Sequence, residues 1–190
     1  MDAALKIDEY FTYTDYCSWD DNERWELIDG VPCAMSPAPT ERHQDAVGVI
    51  YTQLFFFLRG KPCKVFIAPF DVRLNANESD DTVVQPDILV VCDKTKLDGK
   101  SVVGAPDFVV EVLSPSSHHH DLITKLKLYM KSGVREYWIV DPDSKTVSTH
   151  VFNRTRTGSV SSIYDESEDA APVAVLEGCT INLTEVFGEM

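Results

Sequence analysis

The sequence predicts an α/β fold in which a mixed sheet is flanked by helices, and three observations carry that expectation. TVVQPDILVV, DFVVEVL and EYWIVD are short, largely apolar runs of the kind found in central strands covered on both faces. Segments with three- and four-residue apolar steps alternate with them, and hairpin-like segments lie toward both ends. The chain has 190 residues, no internal repeat and no low-complexity linker, so it is expected to form a single domain over 1–190 with its core at about 24–143. A chain of this length buries about 70% of its unfolded surface, enough for a core without disulfides or a structural metal.

Taken in order, RWELID (24–29) alternates in character and meets VPCAM through Asp29-Gly30, a dipeptide suited to a two-residue hairpin turn. From Thr40 onward His43, Ala46, Val47, Ile50, Leu54, Phe57 and Leu58 recur at helical steps, and Gly60 and Pro62 end the helix. KVFIAPFDVRL is one bent strand or two short ones. TVVQPDILVV is expected to be one central strand, with Gln85, Asp87 and Leu89 on one face and Val84, Ile88 and Val90 on the other. DFVVEVL follows as a second such strand. A helix runs from about Asp121 to Lys131 and closes at Gly133; EYWIVD then forms a strand stopped by Pro142. The tail segments TVSTHVFN, SVSSIYD and APVAVLEG are expected as peripheral strands, and NLTEVF as a last short helix.

The net charge is −14, from 31 Asp and Glu against 17 Lys and Arg, and such an average field repels a phosphate polyanion. The charge is uneven, however. Nine acids fall in the first thirty residues and DESED forms another patch, whereas Lys94, Lys96, Lys100, Lys125, Lys127, Lys131 and Arg135 cluster in the middle. Five scattered cysteines, odd in number and without a CxxC pair, argue against a disulfide framework or zinc cluster and suggest reduced small hydrophobes. No apolar run approaches a membrane-spanning length and the start lacks a secretion signal, so a soluble, cytoplasmic protein is expected.

Three ionisable residues stand in apolar settings. Asp87 lies within VVQPDILVV, where an ionised acid costs several kcal/mol unless something compensates it; it could cap a loop, pair with a lysine or serve a cation. Glu111 repeats the situation, sharing a strand face with Asp107, Val109 and Leu113. If the two strands are neighbours, both carboxylates can converge on one hard cation that keeps waters for a phosphate to displace. Lys125 falls with Leu122, Leu126 and Tyr129 on the inward stripe of the later helix, as a site residue or as a snorkelling core-edge lysine; Lys127 and Lys131 lie off that stripe. Glu26 alternates with Arg24 and Ile28 in the hairpin, where a cross-strand ion pair explains it equally well. His43 opens the inward stripe of the first long helix, able to touch a phosphate or to satisfy a core hydrogen bond. His118, His119 and His120 cannot all face one ion and are taken as loop residues. GxxxxGK[ST], GxGxxG and GxSxG motifs are absent.

With those residues in view, the chain resembles the Uma-two family of restriction-endonuclease-like proteins within the PD-(D/E)XK nuclease superfamily. RWELIDG, MSPAPTERHQ, VFIAPFDVRL, TVVQPDILVV, GAPDFVVEVLSPSS and DLITKLKLYMKSGVREYWIVDP look like family segments in family order, over roughly 24–143. Pro86-Asp87 matches the PD and Glu111 the acid of the second half-motif. The superfamily lysine would stand two residues after Glu111, where this chain has Leu113; Lys125 fills the family's helical lysine position, and Glu26 matches the acid of its first hairpin.

The resemblance implies a restriction-endonuclease-like mixed sheet and an endonuclease that hydrolyses nucleic-acid phosphodiesters, DNA foremost, with Mg²⁺ or Mn²⁺. Asp87, Glu111 and the Val112 carbonyl would hold the ion, Lys125 would orient water or offset developing charge, and Glu26 would assist. His43 and Gln85 are the candidate substrate-binding residues, and a homodimer is consistent with cutting two strands. Two alternatives stay open: a nuclease-fold binding or regulatory module without turnover, and a metal-dependent hydrolase of small phosphoesters, which an acidic protein repels less than a polymer.

Overall fold

The computed structural model describes residues 9–21, 23–35, 39–114 and 119–188. Along the chain run α1 (Tyr13–Tyr16), β1 (Trp25–Ile28), β2 (Val31–Ala34), α2 (Glu41–Leu58), β3 (Lys64–Ile67), β4 (Asp71–Arg73), β5 (Val83–Val84) and β6 (Ile88–Val91). These are followed by β7 (Ser101–Val103), β8 (Phe108–Val112), α3 (His119–Ser132), β9 (Glu136–Asp141), β10 (Thr146–Phe152), β11 (Ser159–Asp165), β12 (Ala170–Pro172), β13 (Thr180–Asn182) and α4 (Leu183–Phe187).

The strands form two principal sheets and a small hairpin. One sheet has the order β2-β1-β5-β4-β7, the other β11-β10-β9-β8-β6-β3, and β12 pairs with β13. Both are mixed: β4 and β7 are parallel in the first, β8 and β9 in the second, and the other pairs are antiparallel. The parallel β8–β9 step is bridged by α3, as a parallel crossover requires.

Alternation along β6, β8 and β9 sorts the core into two layers. Ile88, Val90, Phe108, Val110, Val112, Trp138 and Val140 pack with the α2 stripe Ala46, Val47, Ile50, Leu54 and Leu58 and with the C-terminal Ile181, Leu183 and Val186. Leu89, Val91, Val109 and Tyr137 face the other way, toward Tyr129 of α3 and Val72, Val84 and Val102 of the first sheet. Glu111 shares the parity of Val109 and therefore faces α3.

The first hairpin turns as its sequence suggests, with Asp29 and Gly30 both at positive φ (48° and 77°), the geometry of a two-residue turn matched to strand twist. The Tyr10 ring lies where a Cβ on residue 30 would project, so only glycine fits. In α2, Thr40 caps the N-terminus by accepting from the His43 amide at 3.3 Å. Gly133, at φ 99°, ends α3. Lys127 and Lys131 are exposed.

Four expectations need correction. TVVQPDILVV is two strands, not one: β5 pairs in the first sheet and β6 in the second, with Gln85, Pro86 and Asp87 as the crossing. Pro86 has no N–H for a ladder, so the run breaks there, and Asp87 stands at the mouth of β6 instead of within a strand. In APVAVLEG only Ala171 and Pro172, the end of β12 (Ala170–Pro172), are strand. His119 and His120 open α3 instead of lying in a loop, while His118 lies outside the described residues. Finally, Cys63 and Cys92 form a disulfide. Antiparallel β3 and β6 set Lys64 opposite Val91, so the cysteines one step beyond face each other across the ladder despite their distance in sequence. Cys17, Cys33 and Cys179 remain thiols. Among the described residues, no helix is long and apolar enough to cross a membrane.

Candidate active site

The site lies where the chain passes twice between the two sheets. KVFIAPFDVRL resolves into two short strands, β3 in the second sheet and β4 in the first, separated at Ala68-Pro69. The neighbouring crossing is Gln85-Pro86-Asp87, and the Ala68 amide donates to the Asp87 carbonyl at 3.0 Å. Two adjacent crossings leave the sheets parted, and a cleft of about 460 Å³ opens there; Glu26, His43, Gln85, Asp87, Glu111 and Lys125 are all among its lining residues.

The ladder fixes the two acids relative to each other. Antiparallel β6 and β8 pair Ile88 with Val110, and one step further along the same register Asp87 falls opposite Glu111. Oδ2 of Asp87 accepts the Val112 amide at 2.8 Å and lies 3.3 Å from Nε2 of His43. Val112, expected to contribute its carbonyl, is thus tied to Asp87 through its N–H. Oε1 of Glu111 accepts from Nζ of Lys125 at 2.9 Å and from the Tyr129 hydroxyl at 2.8 Å. Lys125 and Tyr129 are i and i+4 on α3, so one helix face delivers both donors.

Glu26 does not make the cross-strand ion pair considered for it. Its partner across the hairpin is Cys33, and its Oε1 accepts from Lys125 at 3.0 Å and from the Gln85 amide at 3.1 Å. Lys125 therefore joins the two sheets through acids on each and is no snorkelling side chain. The Gln85 side chain is engaged by the protein: Oε1 accepts from Arg24 at 2.8 Å, and Nε2 donates to Tyr16 at 3.0 Å and to Asp71 at 2.8 Å.

Burial pushes the Glu111 carboxyl up to about 7; Lys125 opposes this, while Asp87 and Glu26 add to it. Burial pulls Lys125 down, but Glu111 and Glu26 outweigh it and hold the ammonium above its ordinary value. Burial and then Glu111 raise Tyr129, which stays a hydroxyl donor. Glu111 and Glu26 share the Lys125 ammonium and Asp87 adds a third carboxylate nearby, so with all three ionised Lys125 leaves two negative charges without offset. Among the described residues no three His, Cys, Asp or Glu side chains form a ready metal cage. The carboxylates of Asp87 and Glu111, lining the same cleft, are hard oxygen donors of the type that Mg²⁺ takes through one or two carboxylates.

The family described as "putative restriction endonuclease", Uma2, matches this chain over residues 8–184. The chain belongs to the Uma2 family. The fold is shared with a solved structure from Anabaena variabilis, described as a "putative nuclease belonging to DUF820", which superposes with a TM-score of 0.74, covering 93% of this chain and 97% of that one at 18% identity. An uncharacterized protein of Synechocystis sp. is 26% identical over 140 residues, 72% of this chain and 71% of that protein.

In this Uma2 chain the residues meet in one cleft: Lys125 hydrogen-bonds Glu26 and Glu111, the Gln85 amide joins Glu26, and Asp87, in register with Glu111, has Nε2 of His43 3.3 Å from its Oδ2. Sequence reasoning passed over Tyr129 and Arg24. In the sequence Tyr129 falls on an apolar stripe, yet its hydroxyl four residues after Lys125 signals that both can reach one acceptor. Arg24 precedes the hairpin strand and carries no local mark of its link to Gln85.

Proposed function

We propose that the chain is a magnesium-dependent endonuclease that hydrolyses nucleic-acid phosphodiester bonds, DNA foremost, with Mn²⁺ as an alternative ion. The observation that carries this reading is the meeting of Asp87, opposite Glu111 in register, with Lys125 held on Glu111 at 2.9 Å, in one open cleft. Asp87 and Glu111 would hold the ion, with the Val112 carbonyl as a further oxygen donor. When bound, the ion polarises the phosphate and makes its water a stronger nucleophile.

The remaining work belongs to the chain's own groups. Lys125 stays protonated and places a positive charge where negative charge develops on the phosphate, or orients the attacking water. Glu26 keeps that ammonium directed between the sheets. His43 and Gln85 serve the substrate side of the cleft, Gln85 by fixing Arg24, which lines the same cleft. Leu113 in the superfamily's lysine position is then compensated from α3.

The net charge of −14 and a cleft volume within the ~300–1,000 Å³ of small-ligand sites favour a second reading, hydrolysis of small phosphoesters. Incubation with plasmid, single-stranded DNA and a panel of small phosphoesters, with Mg²⁺ or Mn²⁺, separates the two. Cleavage of DNA by wild type and its loss in Asp87→Ala is the expected result. Identical behaviour of wild type and Asp87→Ala defeats the hydrolytic reading, and tight DNA binding in EDTA without cleavage in metal points to a binding module.

A further inference from the structure

Each acid has one oxygen that two protein groups engage and one that they leave alone. Oδ2 of Asp87 takes the Val112 N–H and faces Nε2 of His43, while Oε1 of Glu111 takes both Lys125 and Tyr129. Oδ1 of Asp87 and Oε2 of Glu111 receive no hydrogen bond among the described residues. We infer that His43 and Tyr129 are positioning residues, each engaging one oxygen of its acid so that Oδ1 of Asp87 and Oε2 of Glu111 are the pair offered to a divalent cation. This rests on the metal-dependent reading above.

Two features separate this role from ordinary core packing. His43 is buried, and its Nδ1 has no partner among the described residues, although buried polar atoms are normally satisfied. The ring's polar contact therefore runs to Asp87 and not through a core network. Tyr129 is fully buried with its ring against Tyr137, centroids 4.9 Å apart. Phenylalanine would fill the same space, so the hydroxyl is what Glu111 uses.

The test is calorimetric titration of Mn²⁺ into wild type, Tyr129→Phe, His43→Leu and His43→Gln, with urea unfolding of each in EDTA. Outer-shell partners typically change metal affinity ~10–100-fold, so Tyr129→Phe and His43→Leu should each bind Mn²⁺ at least about tenfold more weakly. His43→Gln, which keeps an N–H donor, should bind closer to wild type. A merely structural role would lower the unfolding midpoint in EDTA and leave the Mn²⁺ affinity of the folded protein unchanged. If wild type binds Mn²⁺ and both donor-lacking variants match it, this inference fails and the metal-dependent reading stands. If folded wild type binds no Mn²⁺, both fail. Should Tyr129→Phe not fold, the two His43 variants decide the matter.

Discussion

Glu111 ties the candidate site to folding stability in a way that pH exposes. Its carboxyl titrates near 4.5 in an unfolded chain and is pushed up to about 7 in the folded protein without metal. Between those values the folded state keeps a proton that the unfolded state has released. Stability therefore falls as pH rises from about 4.5 to about 7 and is level with respect to this group on either side. A shift of that size, at 1.36 kcal/mol per unit, corresponds to ~3 kcal/mol. Glu111→Gln removes the titration. In EDTA, urea unfolding from pH 4.5 to 8 should show wild type losing about 3 kcal/mol relative to Glu111→Gln across that window. A divalent cation favours the ionised carboxylate, so Mg²⁺ or Mn²⁺ should narrow the loss, and binding near pH 6 should release protons, measurable by calorimetry in buffers of differing ionisation enthalpy. A stability difference that does not change with pH would refute the reasoning.

Lys125→Met leaves Glu111 and Glu26 buried together without their shared ammonium; unfolding at pH 8 in EDTA should show a loss of roughly 3–5 kcal/mol, smaller at pH 5, where Glu111 can take a proton. Replacing Cys63 and Cys92 by serine opens a loop spanning 29 positions and should lower stability by about 3 kcal/mol, matched by wild type in reductant; a reductant-insensitive wild type would deny the bond. Leu54→Ala, in the fully buried stripe of α2, should cost ~2–5 kcal/mol in urea unfolding without altering Mn²⁺ affinity, since Leu54 lies outside the cleft lining.

The elements that could be read from the sequence are those whose signal is local. The α2 stripe, the Asp29-Gly30 turn and the apolar runs around Val109 and Val140 each show their structure within a dozen residues. So do the charged members of the site, because Asp87, Glu111 and Lys125 are conspicuous among aliphatic neighbours. What stayed hidden depends on register. Cys63 meets Cys92 only because β3 and β6 pair with Lys64 opposite Val91, and Glu26 meets Lys125 only because the hairpin sheet closes over α3. Neither contact leaves a mark in the segments that make it.

The missed break at Pro86 is the most instructive, since the site depends on it. Had TVVQPDILVV been one strand, Asp87 would sit inside a continuous ladder, its carboxylate enclosed between sheet neighbours and closed to solvent. Because β5 and β6 belong to different sheets, the chain must cross at Gln85–Asp87, beside the oppositely directed crossing at Ala68-Pro69, and the sheets separate along that line. The same proline that ends the ladder thus brings Asp87 to the edge of the cleft while β6, starting one residue later, keeps it opposite Glu111. An acid held at the mouth of a strand yet partly open to solvent is the setting in which the proposed ion would keep its waters. The pattern Pro-Asp before an apolar strand therefore has a physical reading here: the proline opens the sheet and the strand aims the acid.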